Sequence, residues 1–244
     1  MLYISPYPQT EEIYETVAEY EYEELGILDS ERHYQSNIRY YERFFPMVSQ
    51  ECTGAESLLD VGCGTGRLLE LCGQLPGLRR VGIELNKDRA QFARQKAGCE
   101  IVEQPIQSYR PEHTFDVITL MNLFSHVPDL AGFFAAVRGL LSEHGKVILK
   151  VGELARDIKK SAVYDWQIPD HLQFLGLKTM DVLAGKFNFK ITRHDREPLS
   201  AEMFSTWRWR VPGRSRARNL VKSTVAATPG ALPLLRQLYR MQHG

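Results

Sequence analysis

Ser57–Glu70 reads SLLDVGCGTGRLLE. Leu58 and Leu59 lead into Asp60, glycines follow at the alternate positions Gly62, Gly64 and Gly66, and Leu68 and Leu69 open a run with helical spacing. The pattern predicts a buried strand, a glycine turn and a helix. Glycine lets backbone take left-handed dihedrals and lets a ligand approach the main chain, and the helix start offers unpaired N–H groups beside it. In doubly wound sheets this turn lies where ligands bind, outside the carboxyl ends of the strands. A pyrophosphate-bearing dinucleotide calls for G-x-G-x-x-G. The G-x-G-x-G found here, with Asp60 just before it, favours a ligand without pyrophosphate and with a zwitterionic end near the loop.

Outward from this turn the chain alternates between strand and helix patterns. RRVGIEL, CEIVEQ, FDVITLMNLF and GKVILKVG read as strands, and RLLELCGQL, KDRAQFARQKA and DLAGFFAAVRGLL as helices. Such alternation implies a parallel sheet covered on both faces. DHLQFLGLKTMDVLAGK reads as a further helical region and FKITRHDRE as a further strand. Residues 1–50 read as helical after a short extended start, with Thr10 as an N-cap, and with Tyr34, Ile38, Tyr41 and Phe45 on one face of a helix that has Pro46 near its end. The expected organisation is a helical cap over 1–50, a cofactor-binding α/β domain over 51–200 and a basic extension over 201–244.

Glu84 ends RRVGIEL, where a carboxylate can accept both hydrogen bonds of a ribose diol; the plainer reading is a surface acid that caps the next helix. With DVGCGTG upstream, the chain resembles the class I S-adenosylmethionine-dependent methyltransferases over about residues 50–195. LLDVGCGTG matches the first motif of that family and GIEL the second. EQPIQSYRPEHTFDVITLMNLFSHVPDL aligns with the segment through its third and fourth strands. The resemblance implies a Rossmann-like doubly wound, mostly parallel seven-stranded sheet. It also implies S-adenosylmethionine as cofactor, with S-adenosylhomocysteine as product. The cofactor residues it implies are Asp60, Gly62, Cys63, Gly64 and Gly66 at the loop, Glu84 and Leu85 at the ribose, Gln104, Pro105 and Ile106 around the adenine, and Met121 and Asn122 along the sulfonium side. Gln104 stands where the family often has Asp. DWQIPDHLQFLGLKTMDVLAGKFNFKI is similar to a segment of the branch holding ubiquinone-pathway O-methyltransferases and sugar or polysaccharide methyltransferases.

The expected activity is therefore O-methylation of a small or carbohydrate-like acceptor. A non-catalytic module of the same fold, or a nucleotide-dependent oxidoreductase, is the alternative. A hydroxyl acceptor needs a proton acceptor, for which histidine is suited near neutral pH. His126, after the fourth strand of the alternating region, and His171, beside Asp170, are the catalytic candidates, each with a plain structural reading beside it. His33, His113, His144, His194 and His243 read as loop or tail residues without a role. Tyr34, Tyr40, Tyr41, Phe44 and Phe45 form either a lid wall or core packing. Arg39 or Arg43 is a candidate for the carboxylate of the cofactor's methionine end.

Thirty basic and thirty acidic residues leave no net charge, so no global field favours nucleic acid. The balance is uneven along the chain. From Trp207 onward there is no Asp or Glu, while Arg208, Arg210, Arg214, Arg216, Arg218, Lys222, Arg236 and Arg240 are all present. This tail has three readings: contact with an anionic or lipid-linked substrate at a membrane surface, binding of nucleic acid, for which aromatic interleaving is confined to WRWR, or packing on the acidic N-terminal helices of its own or a neighbouring chain, which is favoured. The four cysteines form no C-x-x-C pair and no histidines sit at zinc-ligand spacing, so neither a metal site nor a disulfide framework is expected. With no basic-then-apolar leader, a cytoplasmic location is expected.

Overall fold

The computed structural model describes residues 2–3, 30–151, 173–174 and 177–195. The chain divides into two units, Met1–Glu153 with Leu172–Leu175, and Leu154–His171 with Gly176–Gly244. In the first unit the elements are β1 (Leu2–Tyr3), α1 (Ser30–Glu51), β2 (Ser57–Val61), α2 (Arg67–Cys72), β3 (Arg79–Ile83), α3 (Lys87–Ala97), β4 (Glu100–Val102), β5 (Phe115–Met121), a 3-10 turn (Phe124–His126), α4 (Leu130–Leu140), β6 (Leu141–Lys150) and β7 (Gln173–Phe174). In the second unit, α5 spans Leu177–Lys186.

Five strands form one parallel sheet in the order β4-β3-β2-β5-β6. The chain runs from β2 outward to β4, then returns to the other side of β2 with β5, so the order reverses between β2 and β5. Such a switch point leaves a crevice at the carboxyl ends. β2 is buried throughout, and β5 nearly so, as a strand covered on both faces must be. Asn86 caps α3 by accepting Arg89 N–H at 3.0 Å, Gly98 ends that helix at φ +60°, and Asp129 caps α4 through Gly132 N–H at 3.0 Å.

The described residues show five strands in this sheet rather than seven, plus the short antiparallel pair β1 and β7. Among the described residues, 189–195 of FKITRHDRE do not form the expected strand. Phe187 N–H, Asn188 N–H and Phe189 N–H donate back to the carbonyls of Leu183, Gly185 and Ala184. With Asn188 at φ +54°, this backbone closes the end of α5 and has no donors left for a ladder; residues 190–195 follow without strand pairing. Pro46 lies near the end of α1, which continues past it to Glu51, tolerating the one hydrogen bond that proline cannot donate. Thr10, His171 and the basic extension 201–244 lie outside the described residues.

α1 lies along β6. Lys146 donates to the Glu51 carboxylate at 2.9 Å, Ile148 joins the core that holds Val48, Tyr41 and Phe44, and Lys150 faces the Tyr40 and Phe44 rings. Alternate residues of the strand therefore face the helix, as the period of two requires. Toward its start α1 is tied to α2, where Arg67 donates to Tyr34 Oη at 3.0 Å, to Glu70 at 2.6 Å and to Glu42 at 2.8 Å.

The three loop glycines differ in what surrounds them. All have positive φ, +71°, +54° and +78° for Gly62, Gly64 and Gly66. A Cβ on Gly66 would lie 2.9 Å from Ala93 Cβ and 3.0 Å from Ala93 Cα, whereas one on Gly64 would meet only His33 Cε1, at 3.9 Å. Gly66 thus lets α3 pack on the loop, while Gly64 faces open space. Either Gly→Ala change costs about 1–2 kcal/mol for the left-handed backbone, and Gly66→Ala adds the collision with helix backbone. Thermal melts of the two variants should show the larger loss for Gly66→Ala, at roughly 2–4 °C for each additional kcal/mol. Equal losses would show that the close approach of α3 carries no weight.

Candidate functional site

The register aligns the carboxyl ends of neighbouring strands: Val61 pairs with Ile83, Ile83 with Val102, Asp60 with Thr119, and Met121 with Lys150. The proposed cofactor residues from β2 to β5 therefore gather along one edge. The loop after β2 is fixed by Gly62 N–H and Cys63 N–H donating to the Ile83 carbonyl at 2.8 and 3.0 Å, and by Gly66 N–H donating to the Cys63 carbonyl at 2.9 Å. Cys63 is buried, and its Sγ would lie 2.7 Å from a Cβ on Gly82. This makes Gly82 a second place where absence of a side chain brings loop and β3 together.

Glu84 joins the two loops. Its Oε2 accepts Gly64 N–H at 2.8 Å and its Oε1 accepts Asn86 N–H at 2.9 Å. Helix capping is carried by Asn86, so the plainer reading of Glu84 as the cap of α3 does not hold. Each carboxylate oxygen keeps a further lone pair. Burial raises the Glu84 carboxyl above its ordinary range, opposed by the Asn86 N–H, by Arg89 and by the Gly64 N–H.

Asp60 is fully enclosed at 1% exposure. Its Oδ1 accepts the Thr119 hydroxyl at 2.6 Å, while its Oδ2 is buried with no hydrogen-bond partner. Burial pushes this carboxyl up to about 7, the Glu84 charge pushes the same way, and the Thr119 bond opposes both. Tyr41, from α1, faces the same group: burial raises its phenol well above the ordinary range, and the Asp60, Cys63 and Glu84 charges add to the effect. An orphaned carboxylate oxygen beside a second carboxylate suits a cationic ligand group and opposes a pyrophosphate.

The other expected residues lie at the carboxyl ends of the same strands or in the turns that follow them. Leu85 is half-buried after Glu84. Gln104 is half-buried, Pro105 exposed and Ile106 buried in the turn after β4, held by Ser108 N–H on the Pro105 carbonyl at 2.9 Å. Met121 is the buried last residue of β5. Asn122 follows at φ +57°, with its N–H on the Lys150 carbonyl at 2.9 Å. His126 is half-buried in the 3-10 turn beyond, its N–H on the Leu123 carbonyl at 3.0 Å.

His33 was read as a loop or tail residue; it lies instead in α1, and His144 lies in β6. His33 is the described imidazole nearest the open face of Gly64. Asn37 Nδ2 lies 3.3 Å from its Nε2 and donates to its carbonyl at 2.9 Å. Burial, with Arg89 beside it, pushes the imidazole down to about 4, so it is neutral at physiological pH. The signal available in sequence was the spacing of His33, Asn37 and Tyr41, one helical stripe. Arg39 and Arg43 are exposed on α1. At the opposite end of the strands is a depression of about 920 Å³ lined in part by Cys52, Gly54, Gly77, His113 and Asp116. There Asp116 accepts Glu56 N–H, Ser57 N–H and the Ser57 and Ser142 hydroxyls at 2.9–3.2 Å. Those contacts tie the fold together and leave no orphaned acceptor like Asp60 Oδ2.

A model of the family described as "Methyltransferase domain" matches residues 30–194. A ubiquinone biosynthesis O-methyltransferase of Nitrosococcus oceani is 42% identical over 97 residues, which are 37% of this chain and 41% of that protein. The enzyme of the same name from Yersinia enterocolitica is 31% identical over 99 residues, covering 38% and 40%. The matches thus span about two-fifths of the length of these curated relatives. Among solved structures, the S-adenosylmethionine-bound amino pentose methyltransferase CalS10 of Micromonospora echinaspora aligns at 24% identity and TM-score 0.43, over 50% of this chain and 55% of that one.

The Asp60 environment has a measurable sign. Its carboxyl is raised in the fold, so its contribution to stability is present below the unfolded value and is lost as pH rises from about 4 to 7. Asp60→Asn removes that loss. The difference in melting temperature between variant and wild type, without ligand, should move in the variant's favour across this interval and then level off. A difference independent of pH would show that Asp60 is not held in this state.

Proposed function

The chain belongs to the Methyltransferase domain family, and from that premise we propose that it transfers a methyl group from S-adenosylmethionine to an oxygen of a small-molecule acceptor. The observation that carries the cofactor assignment is the buried, partnerless Asp60 Oδ2 beside Glu84 and the open face of Gly64. Asp60 would complement the cationic methionine end. The spare lone pairs of Glu84 would take the ribose diol, and Gln104, Pro105 and Ile106 would flank the adenine. Gly62, Cys63, Gly64 and Gly66 would offer close backbone, Leu85 would cover the ribose side, and Met121 and Asn122 would border the sulfonium. When bound, the sulfonium supplies a methyl carbon that an acceptor oxygen attacks in line, the sulfur keeping the electron pair of the broken bond.

The protein's contribution is to position the reactants and to keep water out. Alignment of this kind is worth on the order of 7–11 kcal/mol. Tyr41 closes the Asp60 side from α1, and His126 lines the acceptor side beyond β5. Transfer to oxygen is supported by the curated relatives, both named O-methyltransferases. His171 keeps its place as a candidate from sequence alone.

Calorimetry with S-adenosylmethionine and S-adenosylhomocysteine is the first test, and absence of binding at millimolar ligand overturns the reading. Glu84→Gln keeps one acceptor for the two loop N–H groups but removes the charge, so the fold should survive while cofactor affinity falls at least tenfold, each lost charged hydrogen bond being worth about 1.5–3 kcal/mol. Unchanged affinity would remove Glu84 from the site. Binding without turnover over a broad acceptor screen would leave a cofactor-binding module in place of an enzyme.

A further inference from the structure

Two carboxylates meet at the ligand edge, and the fold treats them differently. Glu84 has an N–H for each oxygen, from Gly64 at 2.8 Å and from Asn86 at 2.9 Å. Asp60, on the neighbouring strand, has the Thr119 hydroxyl of β5 on Oδ1 at 2.6 Å and no hydrogen-bond partner on the buried Oδ2. Around Asp60 stand Tyr41 from α1, Cys63 from the glycine loop and Glu84 from the end of β3, and its charge also reaches Cys72 of α2 and Cys99 before β4. Of the cations on the adjoining elements, Arg80 donates to the Leu69 and Ala97 carbonyls, and Arg89 acts on Glu84 and His33. Neighbouring carboxylates resist being ionised together, and the one with fewer donors keeps the proton. On hydrogen bonding alone that one is Asp60, and burial with the Glu84 charge brings its carboxyl to about 7.

We propose that the ligand-free site carries a proton on Asp60 and releases it when the α-ammonium of the cofactor's methionine end arrives, so that binding exchanges one cation for another. The proposal rests on the methyltransferase reading above. An ammonium favours the ionised carboxylate from within about 4–6 Å, so direct contact with the enclosed Oδ2 is not required. In this step the Asp60 O–H bond breaks, its electron pair stays on oxygen, and the proton passes to water. Adenine and ribose bring no such charge, and the Glu84 carboxylate that would take the ribose diol is already held by two N–H donors. The amino-acid end of the ligand therefore carries the pH dependence of binding, and the nucleoside end binds without it.

The test uses the full chain and compares two probes by calorimetry: S-adenosylhomocysteine, which has the ammonium, and methylthioadenosine, which keeps the nucleoside and the sulfur but has no amino-acid end. Titrations near pH 6 and near pH 8, in buffers of different ionisation enthalpy, count the protons released. S-adenosylhomocysteine should release close to one proton near pH 6 and almost none near pH 8, and should bind about tenfold more weakly at the lower pH. Methylthioadenosine should show neither effect. Asp60→Asn should abolish the release and make S-adenosylhomocysteine affinity the same at both pH values. Wild-type binding of S-adenosylhomocysteine without proton release near pH 6, or equal release with methylthioadenosine, overturns the proposal even if the variant fails to fold. Release that persists in Asp60→Asn overturns it as well. Absence of S-adenosylhomocysteine binding at both pH values would instead overturn the methyltransferase reading, and the proposal with it.

Discussion

One carboxylate holds the ligand edge together. Glu84 accepts an N–H from the glycine loop and another from the start of the next turn, at 2.8 and 2.9 Å. Two segments twenty residues apart are thereby fixed to each other through one side chain at the end of β3. The glycines make this bridge geometrically open. Gly66 admits α3 against the loop, Gly82 admits Cys63 against the strand, and the left-handed turn at Gly64 points its N–H at the carboxylate. Without that bridge the loop N–H groups would need water or ligand as partners, and the buried Asp60 would lose the neighbour that helps to raise its carboxyl.

Much of this edge was legible in the sequence. The strand, glycine turn and helix of Ser57–Glu70 and the carboxylate at the end of the next strand depend on local pattern, and local pattern is what a sequence displays. The elements from β2 to β6 follow for the same reason, with the central strands β2 and β5 buried almost throughout. The failures are non-local. FKITRHDRE has a strand's composition, but the N–H of its first residue, Phe189, is used to close α5. His33 gave no signal of its own, because its position depends on α1 reaching across to Gly64. Tyr41 could be read as core or as lid, and the structure makes it the neighbour of Asp60. The Lys150 cluster depends on where α1 lies along β6, which no spacing within either element reveals.

α1 joins these observations. It is anchored at its end by Glu51 on Lys146 and near its start by the Arg67 contacts to Tyr34 and Glu42. Along its length it places His33 near the loop, Tyr41 toward Asp60, and Tyr40 and Phe44 beside Lys150. A single helix therefore supplies side chains to both the glycine-loop side and the β6 side of the edge, and its run continues unbroken through Pro46.

Asp116 and Asp60 sit at opposite ends of the same sheet and answer acidity in opposite ways. Asp116 is lowered, chiefly by the Glu56 N–H, with the Ser142 and Ser57 hydroxyls adding to it. Asp60 already holds a proton at mildly acid pH. Falling pH therefore neutralises Asp60 before Asp116. Charge at the carboxyl edge and charge at the far edge thus respond to acidity separately, recognition on β2 and architecture on its neighbour β5.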